Sequence, residues 1–224
     1  MKPVAPDNKH HLIQYIASPA SHYKWWFIAG GLAVFCISFL MGQVLWTELK
    51  TQLMLISLIG LVLLTVGVAK HWEPRHSLAV SQKKLRYFHR YGQWSIEWHN
   101  IQRIFIPIFR HDLEQQELPY IAIKLKDMER IASSISPRLA SRLVHEQRSL
   151  MVLAVQQQEI TPEQAVLNLT PYKMTQGYEI TGPIAAWLHQ MKALEQAYGA
   201  HLFLPQSAFS QQCEDVMLAL KSHL

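Results

Sequence analysis

Histidine and glutamate stand close together at several points, a pairing that serves proton transfer or metal binding. His145 and Glu146 open the run HEQRS (145–149). Zinc proteases complete such a helix-borne pattern with a second histidine one turn on, where this chain has Ser149. One ligand is missing, so the run reads as a solvated helix face. His89 and His99 lie near Glu97 and would suit acid–base work, but no nucleophile is evident beside them. His10 and His11 are adjacent in the N-terminal tail with no further ligand nearby, which implies a flexible, solvated segment. A glycine-rich phosphate loop and a G-x-S-x-G elbow are both absent from the sequence. The expectation is a protein that is not an enzyme, with no catalytic residues, no metal and no cofactor.

Charge is more informative. The net charge is +5 over 224 residues, too diffuse for a nucleic-acid binder without a recognisable motif. Residues 75–110 carry seven basic side chains against the single acid Glu97, whereas 111–224 carry nine against twelve acids. Lys83, Lys84, Arg86 and Arg90 are the candidate lipid contacts, because an anionic membrane surface attracts each nearby cation by roughly 1 kcal/mol. Cys36 and Cys213 are the only cysteines and imply no disulfide framework. Asn168-Leu169-Thr170 fits the glycosylation pattern, which carries no weight without a secretory context.

These groups need elements to position them. Residues 25–46, WWFIAGGLAVFCISFLMGQVLW, contain no charge. As a helix they reach about 33 Å, enough to cross a hydrocarbon core about 30 Å thick. Residues 53–69 form a second uncharged run, and only TELKTQ (47–52) lies between the two. So short a link predicts an antiparallel transmembrane hairpin over 25–69. Trp25, Trp26, Trp46 and Trp72 are expected as interfacial anchors. Ala29, Gly30, Gly31 and Ala33 should permit close approach to Gly60 or Gly67. Lys2, Lys9 and Lys24 precede the first span, and Lys70 and Arg75 follow the second. The positive-inside rule therefore places both termini in the cytoplasm.

Beyond the anchor the period becomes two. KLRYFHRY (84–91) and QWSIEW (93–98) read as a hairpin with Gly92 at its turn. IQRIFIPIF (101–109) and YIAIKLK (120–126) are further strands, with Pro107 marking an edge or bulge. Ser136-Pro137 then opens a long helix along Leu139, Leu143, Leu150 and Leu153, ending near Gln157. A capping box at Thr161 and Gln164 starts a short helix. Gly182-Pro183 and Gly199 bracket another, HLFL (201–204) is a brief strand, and a last helix runs along Cys213, Val216 and Leu220. The predicted organisation is a tail (1–24), the hairpin (25–69), a β-region (75–127) and a helical region packed on it (128–224).

Residues 77–104 resemble the opening of bacterial pleckstrin-homology-like domains. In these an apolar strand and a basic-aromatic strand lead into an alternating strand that ends in W-x-x-I-x-x-I, here Trp98, Ile101 and Ile104. IAIKLKD, SPRLASRLVHEQRSLM and AYGAHLFLPQSAF look like an uncharacterised family of bacterial two-span inner-membrane proteins. The resemblance implies an α+β membrane protein with a PH-like antiparallel β-domain and additional C-terminal helices. It implies an inner-membrane, multi-pass location and no assigned activity.

The expected function is a membrane-anchored, non-enzymatic scaffold or interaction protein. Its partners would be the lipid bilayer, through anionic headgroups, and an unknown protein, with no nucleic acid. The alternatives are an accessory subunit that uses the hairpin as its interface, and a membrane-bound hydrolase of unknown type. An exposed apolar groove beside the 137–157 helix would point to a protein partner.

Overall fold

The computed structural model describes residues 13–17, 24–71, 76–111 and 114–224. The chain divides into two compact units, residues 18–75 and the remainder.

The first unit is α1 (Lys24–His71), helical throughout. Were it straight it would extend about 72 Å, and Ser38 and Leu53 would stand roughly 22 Å apart. Instead the Ser38 hydroxyl donates to the Leu53 carbonyl at 3.0 Å and meets Ser57 Oγ at 2.7 Å. The chain has doubled back on itself. The two arms, Trp25–Gln43 and Leu49–Ala69, are each long and apolar enough to cross a membrane. The stretch 47–52, expected as a link, is also helical, since TELKTQ has neither glycine nor proline to stop a helix.

Small residues make the contact between the arms. A Cβ on Gly31 would lie 2.8 Å from Leu64 N and 2.9 Å from Gly60 O, and one on Gly67 would lie 3.0 Å from Ile28 N. Gly30 faces open space. The distribution of side chains is the reverse of a water-soluble hairpin. Gly31, Ser38, Leu53, Gly60 and Gly67 are buried, while Leu40 is 65% exposed, with Phe39, Leu55 and Ile59 also outward. Trp25 and Trp26 are exposed at the start of the first arm. The Trp46 side chain, Trp72, Arg75 and the tail with Lys2, Lys9, His10 and His11 lie outside the described residues.

The second unit opens with β1 (Gln14–Ala17), β2 (His76–Val80), β3 (Lys84–His89) and β4 (Gly92–Glu97), an antiparallel sheet in that order. β1 comes from the stretch read as tail. It pairs with β2 in the register Gln14↔Val80 to Ala17↔His76. Alternation sorts the faces of the sheet. Leu78, Leu85, Tyr87, Trp94 and Ile96 are buried, while Lys84, Arg86, Gln93 and Glu97 are exposed. Gly92 has φ 144° at the end of the β3–β4 turn, where a side chain would also collide with the Ser136 hydroxyl.

β5 (Ile101–Phe105) stops before Pro107, which cannot donate to a ladder. The chain then makes a separate ribbon from β6 (Ile108–His111) and β7 (Glu114–Glu117), so that Ile108 and Phe109, read as the end of one strand over 101–109, belong to the ribbon. β8 (Tyr120–Leu125) returns beside β5. After it come α2 (Pro137–Glu146), α3 (Arg148–Gln156), α4 (Pro162–Ala165), the two-residue strands β9 (Tyr172–Lys173) and β10 (Glu179–Ile180), and α5 (Pro183–Tyr198). β11 (Leu202–Pro205) then completes a second sheet in the order β11-β8-β5, and α6 (Cys213–Lys221) ends the chain.

The caps form as read. Ser136 accepts from Leu139 N at 3.2 Å, Thr161 and Gln164 make a reciprocal box, and Gly199 closes α5 at φ 70°.

The second sheet is covered on both sides, which is why β8 reads as a nearly unbroken apolar run. Ile104, Ile121, Ile123, Leu202 and Leu204 join the first sheet, α2 and α6 in one core. Ala122 and Phe203 point the other way, into a core with Leu150, Ala154 and Leu194. The long helix expected over 137–157 breaks at Gln147 for the same reason. Leu139 and Leu143 serve the first core, and Leu150 and Met151 serve the second.

Candidate functional site

Lys84 and Arg86 project from the exposed face of β3, with Lys83 in the turn before it. Lys84 stands opposite Glu97, and Arg86 opposite Ser95 and Ala79. The Arg86 guanidinium lies 6.0 Å from the Phe88 ring centre. Tyr15 shares this face, opposite Ala79, with its ring 4.7 Å from that of His76. Arg90 is separate. About 20 Å of strand divides it from Lys84, and it caps the far turn beside Tyr91, on whose ring Arg142 also stacks at 5.5 Å. The structure thus groups Lys83, Lys84 and Arg86 and sets Arg90 apart.

Of the histidines singled out in the sequence, His89 and His99 have structural partners. His89 Nδ1 accepts from Tyr91 N, and its Nε2 is 3.5 Å from Glu146. Burial raises the affinity of Glu146 for a proton, but hydrogen bonds from His89 and Arg142 and their charges outweigh it, and the net pKa is lowered. His99 lies between Glu97 at 3.4 Å and Arg130 at 3.2 Å. The pairing of buried His201 with half-exposed Glu195 went unremarked in the sequence. His201 Nδ1 accepts from Leu125 N at 3.1 Å, and its Nε2 is 3.1 Å from Glu195 Oε2. Burial holds this imidazole below its ordinary pKa despite the carboxylate. Burial also pushes the Cys213 thiol up to about 11, which leaves it unreactive. No cluster of three or more metal-ligating side chains occurs among the described residues.

A groove of about 760 Å³ runs between α3, α4 and α5. Met151, Val152 and Val155 line it from α3, spaced to share one helix face. Ala186 and Ala193 form the α5 side. Val166 and Leu167 come from the segment after α4 and are largely exposed, Val166 at 68%. His145, Arg148, His189 and Lys192 bring positive charge or its potential, against Glu163 alone. Gln190 also lines the groove; it is only 9% exposed and its Nε2 has no acceptor among the described residues. The sequence hint was VLNL (166–169), three apolar residues that lie outside any periodic element. The α3 half lies in the helix whose apolar stripe was legible; the α5 half depends on tertiary packing.

Compared with known proteins, the chain matches no curated protein and no solved structure. Residues 78–224 match the family described as a protein of unknown function (DUF2982), and the chain belongs to that family.

Proposed function

We propose that this protein is a non-enzymatic interaction protein anchored in the bacterial inner membrane by the α1 hairpin, with its β-body on the cytoplasmic side. The observation that carries the reading is the pairing of β1 with β2. These strands precede and follow the hairpin, joined to it by residues 18–23 and 72–75. Two crossings return a chain to the side it left, as that pairing requires. Outward apolar side chains on both arms suit a lipid solvent, and the flanking lysines favour a cytoplasmic body.

The topology of the body supports a PH-like domain. A four-stranded meander and a three-stranded sheet end in α6, with the helical region inserted between β8 and β11. Lys83, Lys84 and Arg86, beside Phe88 and Tyr15, form the face suited to anionic headgroups or to an acidic partner. The glycines Gly31, Gly60 and Gly67 are used between the arms, which favours this reading over a hairpin that serves as a subunit interface. Both ring nitrogens of His89 and of His99 are engaged by neighbours other than a hydroxyl or thiol, which favours it over a hydrolase.

The test uses the full chain with Cys36→Ser and a dye on Gln93→Cys, on the exposed sheet face, in nanodiscs carrying headgroup quenchers. Quenching is expected with anionic lipid, weakening as salt shortens the Debye length and falling with Lys84→Glu/Arg86→Glu. Equal quenching with neutral lipid, or none with either, rejects lipid contact by this face.

A further inference from the structure

We infer that the groove between α3, α4 and α5 binds a long-chain fatty acid, with its acyl chain along the apolar trough and its carboxylate held by Arg148 and Lys192. The inference is independent of the basic sheet face, which lies on other elements. The size, the lining and the charge of the groove converge. The volume of about 760 Å³ falls in the roughly 300–1,000 Å³ range of small-molecule clefts. The walls combine aliphatic side chains of α3 with the small Ala186 and Ala193 of α5. A fatty acid is the simplest molecule that is apolar along its length and anionic at one end.

The charge pattern selects an anionic head. Arg148 and Lys192 line the groove and form no ion pair among the described residues, and Glu163 is the one acid that shares the lining with them. Cations bordering an apolar surface without counter-charge are poised for an incoming carboxylate, which they bind with charge-assisted hydrogen bonds. Gln190 lines the groove, but its unpartnered Nε2 is sealed from solvent, so the head group rests on the two cations. His189 is already committed to Thr170 O at 3.2 Å and to the edge of Tyr172, so it shapes the wall and does not serve as the anchor. A protein partner is the less suited occupant. A stable protein interface takes roughly 800 Å² from each side, more than the lining of a groove of this size offers.

The test is photolabelling of the full chain in neutral-lipid nanodiscs with a diazirine-bearing palmitate, and with its methyl ester for comparison. The expected result is labelling of peptides within 144–156 and 162–168, competed by palmitate and weak for the ester. Arg148→Glu/Lys192→Glu should reduce this labelling about tenfold, the worth of a charge-assisted contact, with unchanged thermal unfolding. Val152→Trp, at a half-exposed wall position, should block the trough and also reduce labelling. Labelling confined to 24–71, equal labelling by acid and ester, or indifference to both variants overturns the inference. So does a groove that forms protein adducts from a photocrosslinker at Val152 while the purified chain takes up no palmitate.

Discussion

Ala17 faces His76 across the β1–β2 ladder, although the whole of residues 18–75 lies between them in sequence. The body is therefore closed by a strand from the N-terminal side of the hairpin. Ile16, opposite Leu78, is 4% exposed and belongs to the main core.

Truncating Ile16 tests whether β1 is an integral strand. Ile16→Ala should cost about 2–3 kcal/mol, the lower part of the range for a buried isoleucine, since the site is on an edge strand. Tyr15→Ala, on the exposed face, should change little beyond losing its ring contact with His76. Denaturant unfolding of the full chain, followed by tryptophan fluorescence, reads both. Equal midpoints for wild type and Ile16→Ala would mean that β1 adds nothing to the body.

The sequence made the hairpin, the β3–β4 pair and the helix caps legible, because each rests on local chemistry. Uncharged runs, period-two alternation around Trp94 and Ile96, and Ser136-Pro137 need no distant partner to be read. β1 was hidden because QYIA is too short to show a period and its partner follows the whole hairpin. β7 was hidden because EQQE is polar on both faces and is held by the backbone ladder to β6. The break at Gln147 reflects two cores on either side of one sheet, which no single apolar stripe encodes. Of the candidate contacts, Lys84 and Arg86 share a face by strand period alone. The groove depends on α3, α4 and α5 meeting, a relation set by long-range packing.

The close approach of the two hairpin arms gives a prediction with an internal control. Gly31→Ala would place its methyl against the backbone of Leu64 and Gly60, whereas Gly30→Ala would meet nothing within 4 Å. Overpacking against backbone typically costs about 1–3 kcal/mol, so Gly31→Ala should splay the arms and Gly30→Ala should not. In a Cys36→Ser background, Ser38→Cys/Ser57→Cys provides the reporter, since the native hydroxyls are 2.7 Å apart. Disulfide formation should be fast with Gly30→Ala and strongly reduced with Gly31→Ala. The same rate in both would show that glycine at 31 is not what brings the arms together.

His201 links folding to pH. Its Nδ1 accepts from Leu125 N, so the proton sits on Nε2 and faces Glu195. Adding a second proton would set Nδ1–H against the Leu125 N–H inside the core. The folded pKa is lowered from 6.5, mainly by burial, so the unfolded chain binds the proton more readily. The stability this group contributes is present above about pH 6.5 and declines as pH falls from there towards the folded value. Glu146, with its pKa lowered from 4.5, adds a further loss only at lower pH. Denaturant midpoints between pH 7.5 and pH 5 should decline in wild type and flatten in His201→Phe. That variant should also be less stable at pH 7.5 by about 1–3 kcal/mol, because the Leu125 N–H is left unsatisfied. An unchanged pH slope in His201→Phe would move the linkage to another group.

Gln147 offers a stabilising substitution. It is 3% exposed, its Nε2 reaches Phe203 O only at 3.5 Å, and its Oε1 has no partner among the described residues. A hydrogen bond at that distance is weak, and a buried carbonyl oxygen without a donor carries a desolvation penalty. Phe203 sits in the β11–β8 ladder, so its backbone does not depend on this side chain. Gln147→Met keeps the length, removes both polar atoms and has comparable helix propensity. It should raise stability by about 1 kcal/mol, seen as a higher denaturant midpoint with an unchanged slope. A lower midpoint would show that the amide makes a bond to Phe203 stronger than its length implies, and that the junction between α2 and α3 is held by it.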